Sequence, residues 1–85
     1  MMMSDDEFDL LDELYFLQSF QYLKETLDWE DERLLRTLQR LLEKGWIKCF
    51  QSPDKEVFGA IDLSDQGLHL YYLATKAGLL KHNTI

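Results

Sequence analysis

The segment at residues 30–47, EDERLLRTLQRLLEKGWI, constrains this chain most, because it combines an amphipathic helical pattern with a clear stop. At about 100° per residue its leucines fall within an arc of about 120° and form an apolar stripe. These leucines are Leu34, Leu35, Leu38, Leu41 and Leu42. Gly45 is typical of a helix C-cap, and residues 46–50 favour a strand. The sequence therefore predicts a helix over about 30–44 that leads directly into a strand.

The other side of this helix carries basic side chains. Spacings of i, i+3, i+4, i+7 and i+11 place polar residues on one face, roughly opposite the leucines. These residues are Arg33, Arg36, Thr37, Arg40 and Lys44. An ordinary solvated helix presents a charged face as well, so the stripe by itself does not assign a function.

The net charge of −7 is unevenly distributed along the chain. Residues 1–32 hold eleven acids and one lysine, whereas residues 33–55 hold six bases and two acids. Overall acidity argues against loose binding to nucleic acid. A local positive patch on an acidic chain can still steer one anionic partner.

Two helices are expected before the central one. Ser4 and Glu7 have capping-box spacing, which predicts helix 1 over about 5–18. Ser19 is a candidate N-cap for helix 2 over about 19–27. We expect Trp29 to fill the corner between helix 2 and helix 3, the helix over about 30–44.

A β-hairpin is predicted after Gly45, because residues 52–55 suit a type I turn between two strand-favouring segments over about 46–63. Ser64 then suits the N-cap of a last helix over about 65–82. Residues 74–78 repeat the pattern of residues 63–67, so an alternative has a strand at 69–74 and a helix only over 76–82. We favour the long helix, because it leaves a short hairpin loop.

The sequence thus predicts one α+β, mainly α domain over residues 1–85, with three helices, a two-stranded hairpin and a C-terminal helix. This order resembles the winged helix-turn-helix family, in particular the multiple-antibiotic-resistance type of repressor. The motifs that carry the resemblance are Gly45-Trp46-Ile47 and Leu63-Ser64-x-x-Gly67. Residues 74–83 also resemble the ends of small uncharacterised bacterial proteins.

The resemblance implies a DNA-binding transcriptional regulator in which helix 3 enters the major groove and the hairpin is the wing. It implies Arg33, Arg36, Thr37 and Arg40 as groove-facing residues, with Lys44, Lys48 and Lys55 near phosphates. The acids at residues 30–32 depart from that pattern, because carboxylates at the start of helix 3 would repel the duplex. Asp54 and Glu56 on the wing weaken its attraction in the same way.

The alternative is an acidic protein–protein interaction module that keeps the winged fold without binding DNA. Eleven aromatic residues are many for a chain that buries only about 60 to 65% of its unfolded surface. Aromatic anchors at a self-association interface would explain the excess, so we expect a homodimer. In the interaction module, helix 1 and the last helix are expected to form the surface for a protein partner, with Tyr15, Tyr22, Tyr71 and Tyr72 as the candidate anchors. Packing at the edge of the core is the ordinary explanation for any one of them.

Catalysis is not expected. The sequence has no glycine-rich phosphate loop and no recognisable pair of nucleophile and base. Cys49, His69 and His82 lack the spacing of metal ligands, so neither a metal nor another cofactor is expected. A single cysteine fits a reducing, cytoplasmic location. No apolar run approaches the roughly 20 residues of a membrane helix, and no secretory signal pattern is present.

Overall fold

Five α-helices and four strands are present in residues 3–84, the part of the chain that the computed structural model describes. The strands form one antiparallel sheet in the order β1-β4-β2-β3, and the domain is α+β and mainly helical. In chain order the elements are α1 (Asp5–Asp12), β1 (Gln18–Ser19), α2 (Phe20–Leu27), α3 (Asp31–Glu43), β2 (Ile47–Ser52), β3 (Lys55–Val57), α4 (Leu63–Gln66), a 3-10 helix (Gly67–His69), β4 (Tyr71–Ala74) and α5 (Lys76–Asn83).

Helix α1 begins at the predicted capping box. Ser4 Oγ accepts a hydrogen bond from the Glu7 amide at 3.1 Å, and the Glu7 carboxylate accepts one from the Ser4 amide at 2.9 Å. The helix ends at Asp12 instead of near residue 18, so the predicted end was wrong. The chain turns because the carbonyl of Leu14 accepts a hydrogen bond from the Ala74 amide at 2.9 Å. Leu14 still enters the core, which is why its helical spacing was misleading.

The predicted start of α2 and the predicted position of Trp29 are confirmed. Ser19 Oγ accepts a hydrogen bond from the Tyr22 amide at 3.1 Å and caps the helix. Asp28 ends the helix in a left-handed conformation with φ of 57°. Trp29 is buried in the connection between α2 and α3.

The junction of α3 and β2 is a Schellman motif. The Gly45 amide donates to the Leu42 carbonyl at 3.0 Å, and the Trp46 amide donates to the Leu41 carbonyl at 3.0 Å. Gly45 has φ of +75°, a conformation that glycine adopts at little cost. The predicted transition from helix to strand is therefore confirmed, and it fixes the direction in which β2 leaves the helix.

The predicted last helix over about 65–82 was wrong, and the alternative with a strand and a short helix fits the structure. Tyr71–Ala74 forms β4, which occupies the position between β1 and β2 and pairs with both. Pairing on two edges outweighs a helical pattern that has only local support. Thr75 then caps α5 by accepting a hydrogen bond from the Gly78 amide at 3.1 Å.

The segment between β3 and β4 also differs from the prediction. The hairpin itself is present, but β3 ends at Val57, and residues 58–62 form no strand. Asp62, and not Ser64, caps α4, because its carboxylate accepts a hydrogen bond from the Ser64 amide at 3.0 Å. The core lies between the leucines of α1 and α3 and one face of the sheet, which contributes Ile47, Cys49, Tyr72 and Ala74.

Candidate interaction surface

Helix α1 lies against the basic side of α3 and neutralises part of it. The guanidinium of Arg33 donates two hydrogen bonds to the Asp6 carboxylate, from Nε at 3.0 Å and from Nη2 at 2.8 Å. It also lies 4.3 Å from the ring centroid of Trp29. The hydrogen bond from Arg33 holds the pKa of Asp6 below its usual value. A bidentate pair stacked on an indole fixes Arg33 in place.

The second contact between α1 and α3 is the ion pair of Glu7 and Lys44. Glu7 is only 2% exposed. Burial raises its pKa, but the hydrogen bonds from Lys44 and Ser4 outweigh burial, and the net pKa lies below the usual value. Lys44 Nζ also lies 4.8 Å from the ring centroid of Trp46. Lys44 is thus part of the packing between two helices.

Thr37 does not belong to an exposed basic face, which corrects its prediction as a groove-facing residue. It is 1% exposed, and its Oγ1 donates a hydrogen bond to the Arg33 carbonyl at 2.8 Å. The correction has a physical reason: α1 covers the side of α3 that carries Arg33 and Lys44. A residue between these two contacts along the helix is therefore buried.

The remaining predicted bases differ in whether a carboxylate lies beside them. Arg36 Nη1 lies 3.6 Å from a carboxylate oxygen of Glu32, and Lys48 Nζ lies 3.9 Å from one of Glu56. Within residues 3–84, Arg40 and Lys55 lie in no ion pair shorter than 4 Å. Exposed pairs of this kind contribute only about 0 to 1 kcal/mol each and are easily rearranged. Arg36 and Arg40, one turn apart, are thus the most available bases of α3.

The four predicted tyrosine anchors do not form one patch. Tyr72 is buried, which corrects its prediction as a surface anchor, and its hydroxyl donates to the Gly67 carbonyl at 2.7 Å. Burial raises the pKa of Tyr72. Tyr71 points to the opposite face of the sheet, because successive strand residues alternate. The hydroxyl of Tyr15 lies 2.7 Å from His82 Nδ1 and ties the turn after α1 to α5, whereas Tyr22 is exposed on α2.

A groove runs along α3, between that helix and residues 59–68; we call it the α3 groove. It consists of two adjoining cavities of about 590 Å³ and about 660 Å³, which share Gln39 and Asp62 as lining residues. The first cavity is lined by Leu35, Arg36, Arg40 and Leu68, among others. The second is lined by Leu42, Glu43 and residues 59–61.

Gln39 holds the two walls of the α3 groove together. Its Nε2 donates to the Ile61 carbonyl at 3.1 Å, and its Oε1 accepts from the Leu63 amide at 2.8 Å. The sequence analysis missed this groove, because it assigned Leu35 and Leu42 to the core stripe. The only local signal is that both lie towards the same edge of that stripe. Their half-buried position depends on where residues 58–68 return along α3.

Features that would support other functions are few in the described part of the chain. No three His, Cys, Asp or Glu side chains within residues 3–84 are placed to hold a metal ion. Burial raises the pKa of the Cys49 thiol, and the charge of Glu56 adds to this, so the thiol is a poor nucleophile. None of the helices in residues 3–84 has the length and apolar character needed to cross a membrane.

Comparisons with known proteins do not assign the chain to a family. No family model matches it, and it matches neither a curated protein nor a solved structure. The functional argument therefore rests on the geometry of α3 and its surroundings.

Proposed function

We propose that this chain is a non-catalytic protein-interaction module. The observation that carries the proposal is the covering of the basic side of α3 by Asp6 and Glu7 of α1. To contact phosphates, Arg33 and Lys44 would have to leave these carboxylates. For Lys44 this would leave the buried carboxylate of Glu7 without a partner, and breaking a buried ion pair costs about 3 to 5 kcal/mol. Helix α3 is therefore better suited to hold α1 than to enter a DNA groove.

The α3 groove is the proposed binding surface for a protein partner. Its first cavity combines an apolar wall, which includes Leu68 at 48% exposure, with the available guanidinium groups of Arg36 and Arg40. The same cavity is also lined by the carboxylates of Asp31, Glu32 and Asp62. An exposed leucine beside groups of both charges suits a partner segment that combines apolar side chains with polar ones and carries no excess of acid. Arginine is also a frequent hot-spot residue at protein interfaces.

In this proposal the domain is a variant of the winged helix-turn-helix fold. The order of α1, α2 and α3, followed by the β2–β3 hairpin, supports that assignment. The return through residues 58–70 into β4 departs from the predicted topology. A DNA-binding transcriptional regulator is the second candidate function, and the exposure of Arg36 and Arg40 favours it.

A titration with a fluorescent random duplex at about 50 and 200 mM salt separates the two candidates, because phosphate contacts weaken steeply over this range. We expect no binding by the wild-type protein. The double variant Asp6→Asn/Glu7→Gln frees Arg33 and Lys44 and should gain weak, salt-sensitive binding. Asp5→Asn/Asp9→Asn is the matched control, because it removes two exposed carboxylates of the same helix. Wild-type binding that Arg40→Ala weakens would overturn the interaction-module proposal.

The binding surface can be tested by capture on the immobilised protein at about 200 mM salt, where non-specific electrostatic contacts are reduced. Proteins that bind the α3 groove should be retained by the wild type and lost with Leu68→Asp. Leu80→Asp is the control, because Leu80 is 57% exposed on α5 and lines neither cavity of the groove. Retention unchanged by Leu68→Asp, or no retention at all, would contradict the assignment.

A further inference from the structure

An exposed phenylalanine lies directly beside the second cavity of the α3 groove. Phe58 follows β3 and is 80% exposed, so its ring does not occupy the cavity of its own chain. Gly59, with φ of +94°, turns the chain immediately after it. The next residues, Gly59 to Ile61, line the cavity of about 660 Å³ together with Leu42. A projecting aromatic ring is therefore a neighbour, on one surface, of a hollow in which apolar side chains lie beside Gln39, Glu43 and Asp62.

This arrangement is self-complementary. A two-fold contact between identical chains uses the same patch on both copies, so the patch must carry both the projecting group and the site that receives it. Phe58 and the adjoining cavity meet that requirement. We propose that a second copy of this chain docks here, with each Phe58 inserted into the cavity of the other copy between Leu42 and Ala60.

The expected area of this contact sets its strength. Burying one phenylalanine side chain removes about 150 to 250 Å² from water. Two such side chains and the walls that they cover give about 600 to 1,000 Å² in total, which is at or below the lower end of specific interfaces. The dimer should therefore be weak, with a dissociation constant of about 10 μM or higher.

The net charge of the chain predicts how the strength of the dimer depends on salt. Each copy carries a net charge of −7, so two copies repel one another at long range. Salt screens this repulsion, since the Debye length falls from about 10 Å at 0.1 M to about 3 Å at 1 M. The dimer should therefore strengthen as salt is raised, the opposite of the salt dependence expected for DNA binding. The inference goes beyond the proposed function and does not depend on it.

Sedimentation velocity on the purified chain tests the inference, over about 1 to 500 μM, which brackets the expected dissociation constant. The average mass should rise from 10.1 kDa towards twice that value as concentration increases. Phe58→Ser removes the inserted ring, and Ala60→Glu obstructs the cavity without changing Phe58. Each should weaken the dimer by about tenfold or more, as loss of a central hot spot does.

Phe16→Ser is the matched control, because Phe16 is 77% exposed and lines neither cavity of the α3 groove. It should leave the dissociation constant within about twofold, the scatter expected for a residue outside the contact. Melting temperatures of all three variants show whether each is folded, and little change is expected because the three side chains are exposed. A wild-type mass that stays at 10.1 kDa throughout would overturn the proposal. Equal weakening by Phe16→Ser and Phe58→Ser would do so as well.

Discussion

Glu7→Gln tests whether the contact of α1 with α3 depends on charge. The amide keeps the size of the side chain and can still accept the hydrogen bond from the Ser4 amide, so the main loss is the ionic bond to Lys44. Hydrogen bonds to charged groups contribute about 1.5 to 3 kcal/mol each. The lower part of this range applies, because Lys44 is 22% exposed and can return partly to water. We therefore expect a loss of about 1.5 to 2 kcal/mol at pH 7.

The partner variant Lys44→Met should cost more. It leaves the Glu7 carboxylate, 2% exposed, without its cation, and an uncompensated buried charge costs about 3 to 5 kcal/mol. In the double variant neither charge remains, so its loss should be smaller than the sum of the two single losses by about 1 to 2 kcal/mol. Urea unfolding followed by tryptophan fluorescence measures all four proteins, with Asp9→Asn as an exposed control on α1.

The lowered pKa of Glu7 predicts how the stability difference between wild type and Glu7→Gln changes with pH. The pKa of Glu7 is lowered from 4.5 in the folded state, so the stability due to its ionisation is present above about pH 4.5. It is lost as the pH falls through the lower folded-state pKa. The difference between wild type and Glu7→Gln should therefore shrink on acidification. Equal stability at pH 7, or a difference that persists below the folded-state pKa, would refute the role assigned to this pair.

Three further predictions concern the packing around α3 and β4. Gly78→Ala should destabilise the protein by about 2 to 3 kcal/mol, because an added Cβ would lie 2.0 Å from the Trp46 carbonyl oxygen. Thermal unfolding measures this loss, and unchanged stability would contradict that close approach. Tyr72→Phe should cost about 1 to 2 kcal/mol in urea unfolding, since the Gly67 carbonyl loses its buried donor, and no loss would show that another donor replaces it. Gln39→Ala should speed amide hydrogen exchange at Leu63, which donates to Gln39 Oε1; unchanged exchange would show that residues 58–63 are held by other contacts.

The parts of the fold that local chemistry determines could be predicted from the sequence. The capping box of Ser4 and Glu7 sets where α1 begins. Gly45 sets where α3 gives way to β2, because the left-handed conformation at that position favours glycine. In each case the residues that decide the structure lie within one helical turn of it, so the pattern carries enough information.

The parts that depend on distant partners could not be predicted in the same way. The pattern of residues 71–74 is compatible with either a helix or a strand. These residues form a strand because they pair with β1 on one side and with β2 on the other. Helix α1 also ends early because of a distant partner, since the Leu14 carbonyl accepts a hydrogen bond from the Ala74 amide. Register between segments that are far apart in the chain is not visible in a local pattern.

For the candidate site, too, the sequence does not show which side chains are covered by other parts of the chain. A helical projection correctly places Arg33, Thr37 and Lys44 on one side of α3, but it does not show which element covers that side. The available signal was the run of acids at Asp6 and Glu7, which also suits the positive end of the dipole of α1. Asp6 and Glu7 have both roles, because they lie in the first turn of α1 and also form ion pairs with Arg33 and Lys44.

The segregation of charge along the chain therefore has a structural explanation with a functional consequence. Within residues 3–84, five of the nine bases lie in ion pairs with acids of the same chain, and two of these five, Arg33 and Arg36, lie on α3. Sixteen acids and nine bases, less five of each, leave eleven carboxylates and four bases outside these pairs. The field around the molecule is thus that of an excess of acid, although the centre of the sequence is basic. Such a field slows approach to a polyanion and favours encounter with a cationic or neutral protein surface. Specific contact must then come from uncharged groups such as Leu68 and Phe58, or from the few arginines that remain available.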